Sequence, residues 1–305
     1  MSTDRAASLI AQHAETTRLL GVDFLPLGNA PSAMDREPAT PPAEFAPRDA
    51  APEPETAPTQ RPPAAIEPKP TPEQGRAHLA APASDVRSCH EALGDPQAKL
   101  DAVRARYIAD APHQHFATSF SNIVFGEGDP SARLMFIGEA PGETEDQTGR
   151  PFVGRAGQLL EKMIIAMGLS RESVYICNVL KTRPPNNATP TPDEARLSAP
   201  YLIEQIRIVN PEVIVTLGLP ATRLLLETGE PMRAMRGQWW PFPPGRDAPG
   251  TPMLSPMSDP DLPEIAVMPT YHPAYLLRSY TEENRRKVWS DLRLVIERLG
   301  LPANA

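Results

Sequence analysis

Four short apolar runs constrain this chain more than any other feature. They are RLMFIG (133–138), SVYICNVL (173–180), EVIVTLG (212–218) and EIAVMPTYH (264–272). Each run is continuous rather than alternating, and each is rich in Val, Ile or aromatic residues. That is the pattern of strands buried on both faces of a parallel sheet. Helical spacing fills the gaps between them. GRAGQLLEKMIIAMGL sets Leu159, Leu160, Met163, Ile164 and Met167 on one side. TPDEARLSAPYLIEQIRIV opens with Thr191 as N-cap, Pro192 in the first turn and Glu194 at the capping-box position. LPATRLLLE follows the third run, and TEENRRKVWSDLRLVIERL closes the chain. Strand and helix alternate, so the expected class is α/β with a mostly parallel, four-stranded sheet.

The remainder of the chain has a different composition. Fourteen of residues 31–84 are proline, and little there is apolar enough to bury. This stretch reads as a disordered, extended tether. Residues 1–30 form an N-terminal segment with amphipathic spacing, Ala7, Leu9, Ile10, Ala14, Leu19 and Leu20 falling on one side. Residues 1–84 together are a candidate docking element for a protein partner. The folded domain is expected over 85–305, opening on a helix broken around Gly94-Asp95-Pro96.

Bulk properties exclude several classes. The two cysteines, Cys89 and Cys177, are too few for a disulfide scaffold and lack metal-site spacing. A formal net charge of −8 argues against a generally basic nucleic-acid binder, though not against a local basic groove. No apolar run approaches the ~20 residues needed to cross a bilayer, and MSTDRAASLI lacks the layout of a secretory signal. The expectation is a soluble cytoplasmic protein with no membrane partner.

In such sheets ligands bind beyond the carboxyl ends of the strands. That rule points to the loops 138–157, 178–191, 218–222 and 270–279. The first, GEAPGETEDQTGRPFVGRAG, is glycine-rich, but its glycines do not have phosphate-loop spacing. Glu139, Glu143, Glu145 and Asp146 would also repel a phosphate cluster. These carboxylates have no acidic counterpart at another strand end, so no metal is expected. Asn178 can present a donor and an acceptor together, which suits a neutral heterocycle; its structural alternative is a loop-capping amide. Lys181 and Arg183 beside it suit phosphates. His272 follows an apolar strand and suits acid–base or electrostatic work, with a hydrogen-bonded structural histidine as the alternative. Leu276, Leu277 and Arg278 read as an apolar wedge beside a cation. A flat aromatic (Phe152), an amide, carboxylates, a histidine and a wedge together suit an enzyme that flips a base and acts on its glycosidic bond.

FGEGDPSARLMFIGEAPGETEDQTGRPFVGRAGQLL, VYICNVLKTRPPNNATPTPDEA, PEVIVTLG and TYHPAYLLR resemble, in this order, motifs of the uracil-DNA glycosylase superfamily, most closely family 4. The resemblance covers about residues 122–298. It implies a three-layer α/β/α sandwich and hydrolysis of deoxyuridine in DNA, single- or double-stranded, by a monofunctional base-excision enzyme. The setting it implies is bacterial, cytoplasmic and nucleoid-associated, with a monomeric protein. By resemblance, Gly138, Glu139 and Ala140 form the first catalytic motif, whose backbone contacts uracil. Glu139 orients water, with Glu145 as second candidate. Phe152 stacks under uracil, Asn178 reads its edge, and His272 stabilises charge on O2. Lys181, Arg183, Leu276, Leu277 and Arg278 contact DNA.

The sequence departs from family 4 in one large respect. By resemblance, the family's four iron–sulfur cysteines fall near Ala111 and Gln114 and at Thr182 and Ser198 here. No cluster and no other cofactor is therefore expected. KTRPPNNATPTP also lacks the histidine of the branch that traps its product covalently. Because the cluster ligands are absent, a catalytically weak module that holds uracil- or abasic-DNA for a partner is the rival reading. Action on other deaminated bases is a third.

Overall fold

The computed structural model describes residues 84–244 and 261–302. The expectations for residues 1–83 lie outside the described residues. The four apolar runs form strands β2 (Leu134–Gly138), β3 (Tyr175–Asn178), β4 (Val213–Leu217) and β6 (Ile265–Thr270). All four are parallel. Two short strands extend the sheet: β1 (Glu127–Gly128) pairs antiparallel with β3, and β5 (Trp240–Phe242) antiparallel with β6. The order is β1-β3-β2-β4-β6-β5. The sheet therefore has six strands, not four. The additions escape the apolar pattern because β1 spans two residues and β5 has Pro241 at its centre, both features of sheet edges.

Side-chain alternation along the strands creates two cores. Met135 and Ile137 of β2 join one cluster with helices α5 (Pro192–Val209) and α6 (Leu219–Leu226). Leu134 and Phe136 join the other, with α4 (Arg155–Ala166) and α9 (Glu282–Arg298). Helices cover both faces, giving the three-layer α/β/α sandwich. The buried stripe of α4 is Leu159, Leu160, Met163 and Ile164, as its spacing predicts. The α5 N-terminus is a capping box: Glu194 N donates to Thr191 Oγ1 at 3.3 Å, and Thr191 N donates to Glu194 Oε2 at 2.7 Å.

A third cluster ties the N-terminal part of the domain to α5. Helices α1 (Ser84–Ser88) and α2 (Pro96–Asp110) contribute Val86, Val103 and Tyr107, which meet Phe125 and Tyr201. Tyr107 meets Tyr201 edge-on at 5.0 Å and stacks on His113 at 5.5 Å. The Tyr201 hydroxyl donates to Asp110 at 2.6 Å, and buried His90 pairs with Glu204 at 2.8 Å.

Three further helices lie along the carboxyl edge and the connections: α3 (Glu143–Thr148), α7 (Met232–Met235) and α8 (Pro273–Arg278). The parallel strands run β3-β2-β4-β6, so the winding direction reverses between β2 and β4. A crevice at their carboxyl ends is the expected outcome. Register keeps those ends level: Gly138 sits opposite Asn178, and Leu217 opposite Thr270. Among the described residues, no helix is long and apolar enough to cross a membrane.

Candidate active site

A cavity of about 620 Å³ opens at the reversal point. Glu139, Ala140, Glu145, Phe152, Asn178, His272 and Arg278 all line it, although they come from the carboxyl ends of three different strands and the segments that follow them. Gly138 is the strand residue around which the floor assembles. A Cβ there would fall 2.4 Å from Asn178 Oδ1 and 2.4 Å from Phe152 Cζ, so only glycine lets the amide and the ring approach this closely. Asn178 is 1% exposed, and its Oδ1 is buried without a hydrogen-bond partner. An unpaired acceptor in a buried site is unfavourable until a donor arrives.

Phe152 is held in an unusual conformation. Its φ is 51°, in the left-handed region rarely used by non-glycine residues. Three contacts hold it there. Arg171 Nη1 donates to the Phe152 carbonyl at 3.0 Å, and the same guanidinium bonds Pro151 O and Glu127. Glu145 Oε1 accepts from Val153 N at 2.9 Å and Gly154 N at 2.7 Å. A Cβ at Gly157 would lie 1.9 Å from the Phe152 carbonyl carbon, so the first turn of α4 presses directly on this backbone. Glu145 thus ties down, with one oxygen, the backbone that leads from Phe152 into α4.

His272 is the N-cap of α8. Ala274 N donates to its Nδ1 at 3.0 Å, which makes Nδ1 an acceptor and leaves the proton of a neutral ring on Nε2. Burial, then the Arg278 cation, push the imidazole pKa down to about 4, with Glu145 pulling the other way. The ring lies 5.7 Å from that of Phe152, tilted by 32°. Glu139 has the opposite character. Burial raises its carboxyl above the ordinary range, against the lowering effects of a Thr189 hydrogen bond and Arg278.

Two expected DNA contacts are corrected. Lys181 is 0% exposed. Its ammonium donates to Asn178 O at 2.7 Å and to Gln205 Oε1, and lies 5.4 Å from the centre of the Phe125 ring. It fixes the strand end from within and offers no surface charge to phosphates. Leu276 is also 0% exposed, because helical spacing turns it into the core beside α4. Leu277 is partly buried against the same core, while Tyr275 and Arg278 face out. Arg183 is partly exposed, held by Asn187 at 2.9 Å and Glu143 at 3.6 Å. Arg171, Gln205, Thr189 and Tyr271 were not evident in the sequence. Only Gly157, in the first turn of a helix, carried a local signal of close approach.

The positions aligned with cluster cysteines do not suit an iron–sulfur group. Thr182 and Ser198 are fully buried hydroxyls, and Ala111 and Gln114 offer no thiolate. The buried Tyr107 side chain lies against Thr182. Cys177 faces the core within β3, and Cys89 is in the N-terminal part of the domain.

A family model described as the uracil DNA glycosylase superfamily matches residues 125–293. The type-4 uracil-DNA glycosylase of Thermotoga maritima is 43% identical over 173 residues, covering 56% of this chain and 80% of that protein. That of Saccharolobus solfataricus is 42% identical over 184 residues, covering 59% of this chain and 77% of its own length. The type-5 uracil-DNA glycosylase of Thermus thermophilus is 34% identical over 143 residues, covering 40% of this chain and 64% of that protein. With the reversal-point cavity and its residues in place, these matches show that the chain belongs to the uracil-DNA glycosylase superfamily, with type 4 its near relatives.

Proposed function

We propose that the protein hydrolyses the N-glycosidic bond of deoxyuridine in DNA, releasing uracil and leaving an abasic site for base-excision repair. The observation that carries this reading is the unpaired Oδ1 of Asn178 beside the Phe152 ring. Uracil brings a donor at N3 for that oxygen and an acceptor at O4 for the amide nitrogen. Cytosine inverts both groups and would leave them unpaired.

The chemistry follows from the two shifted groups. As the C1′–N1 bond breaks, its electron pair moves onto uracil and positive charge grows on the sugar. Neutral His272, with its proton on Nε2, donates a hydrogen bond to the uracil oxyanion. Glu139 accepts a proton from water as the water oxygen bonds to C1′. That proton is then returned through solvent to the uracil anion. Glu145 acts at one remove, by fixing the backbone that carries Phe152. Ala140 supplies no side chain to act as base, so a modest rate is expected. No lysine lines the cavity among the described residues, which supports a monofunctional enzyme. Arg278 and Arg183 are the proposed phosphate contacts, with Leu277 beside them at the mouth.

The donor chemistry at Ala111, Gln114, Thr182 and Ser198 supports an enzyme without an iron–sulfur cluster. Iron analysis and a visible spectrum of purified protein test this; a brown protein with stoichiometric iron would overturn it. The activity test is equally direct. Single-stranded uracil DNA is incubated with protein and treated with alkali. Strand scission that is much slower in Glu139→Gln and His272→Ala is the expected result. No scission by the wild type would refute the assignment. Asn178→Asp is expected to lose discrimination between uracil and cytosine.

A further inference from the structure

The mouth of the cavity carries an aromatic stack whose last ring is open. Tyr271 and Tyr275 lie 5.0 Å apart, inclined by 38°, and both line the cavity. Below them the Arg236 guanidinium sits 5.8 Å from the Tyr271 ring centre. Arg236 is itself fixed, bonded to the buried Asp291 carboxylate at 2.6 and 3.1 Å. The stack is therefore anchored at its base. At its top Tyr275 is 37% exposed. Helical geometry puts Tyr275 and Arg278 three apart on the same outward face of α8, while Leu276 turns inward. His272 caps this helix, so the exposed face is held rigidly to the catalytic ring.

An anchored, exposed aromatic beside a cation, continuous with a base pocket, matches the way proteins hold single strands. Bases stack on aromatic faces while cations track the backbone. We propose that Tyr275, backed by Tyr271, is a stacking subsite for the nucleobase next to the flipped uracil, with Arg278 on the intervening phosphate. The inference rests on the glycosylase reading and deepens it. It also replaces the leucine wedge: the surface offered to DNA is a ring that receives a neighbouring base of a single strand, with no requirement for an opposite strand.

The test uses single-stranded oligonucleotides with one deoxyuridine. Its neighbour, on each side in turn, is either an intact nucleotide or a base-free tetrahydrofuran spacer. Wild type is expected to lose roughly tenfold in single-turnover cleavage when the base on one particular side is missing. In Tyr275→Ala that penalty should vanish, because nothing remains to stack on. Tyr275→Phe should keep it. If Tyr275→Ala slows intact and base-free substrates by the same factor, the ring has only a structural role and the proposal fails. It also fails if wild type ignores the missing base, or if the Tyr275 effect is confined to duplex substrates, as a wedge would give. The same oligonucleotides, with the deoxyuridine replaced by a tetrahydrofuran spacer, are titrated by fluorescence anisotropy. A Tyr275-dependent preference for the intact neighbour there supports the shelf even if no protein cleaves, so the two readings fail separately.

Discussion

At the scale of single residues, the site separates two titratable groups in opposite directions. Burial and Arg278 hold His272 down to about 4, so the imidazole is neutral across the working range. Burial raises Glu139, which on the proposed mechanism must be ionised to take a proton. The acid limb of kcat should therefore follow Glu139, above the ordinary carboxylate range, with no inflection near the usual histidine value of ~6.5. Glu139→Gln should flatten that limb, and His272→Ala should lower kcat by about 10²–10³-fold while leaving the limb in place. A limb that moved with His272→Ala would contradict the assignment. Lys181 shows where sequence reading stops. A lysine and an arginine after a strand look alike on paper, and only the packing of Gln205 and Phe125 reveals that one is internal. Burial lowers its ammonium to about 8. Below pH 8 the folded state carries the full cost of the buried charge. Between pH 8 and 10.5 the unfolded chain binds more protons, so this group makes stability rise with pH, by roughly 3 kcal/mol in total. Burial also raises the Cys89 and Cys177 thiols, which oppose the trend from about pH 8.5, and buried Tyr107, Tyr175 and Tyr201, all held above their ordinary range, oppose it further above about pH 10. Denaturant titrations from pH 7 to 10 should show wild type gaining stability relative to Lys181→Met as pH rises.

At the scale of elements, legibility followed burial. The four central strands were evident because both faces are covered, which forces continuous apolar runs. The α5 capping box and the α4 stripe were evident because caps and helical faces are local chemistry. Edge strands β1 and β5 were not, since they owe their conformation to a neighbour and are too short to show a period. The clamp on Phe152 was equally hidden: Glu145, Arg171 and Gly157 converge on it from different elements. Glu139, Ala140, Glu145, Phe152, Asn178, His272 and Arg278 were named through motifs, but the rest of the cavity lining and the division of labour were not. The attachment of α2 to α5 is the clearest case of packing without a local signal. Tyr107 carries it, among Tyr201, Phe125 and His113. Its hydroxyl is buried beside Thr182 without a hydrogen bond of normal geometry. Tyr107→Phe removes an unsatisfied group and should change stability by less than about 1 kcal/mol, or raise it. Tyr107→Ala opens a cavity and should cost about 3–5 kcal/mol. Equal losses in the two variants, read from urea unfolding, would mean that the phenol oxygen and not the ring holds α2 in place.

At the scale of the whole molecule, the chemistry is concentrated in one part of the chain. The cavity is lined from Glu139 to Arg278, and the strands run from Glu127 to Thr270. The N-terminal attachment to α5 begins with Val86. All of these groups lie within the described residues, and residues 31–84 hold fourteen prolines with little to bury. If that stretch is a tether, as its composition leads one to expect, it alters what the domain meets, through effective concentration, and not what the domain does once bound. Removing residues 1–83 should therefore leave kcat/KM on a short uracil oligonucleotide unchanged, together with the thermal midpoint of the domain. If the amphipathic segment recruits a partner, the truncated protein should fall behind only where that partner is present. Loss of turnover on the short substrate alone would mean that the N-terminal residues complete the site, and the tether reading would have to be abandoned.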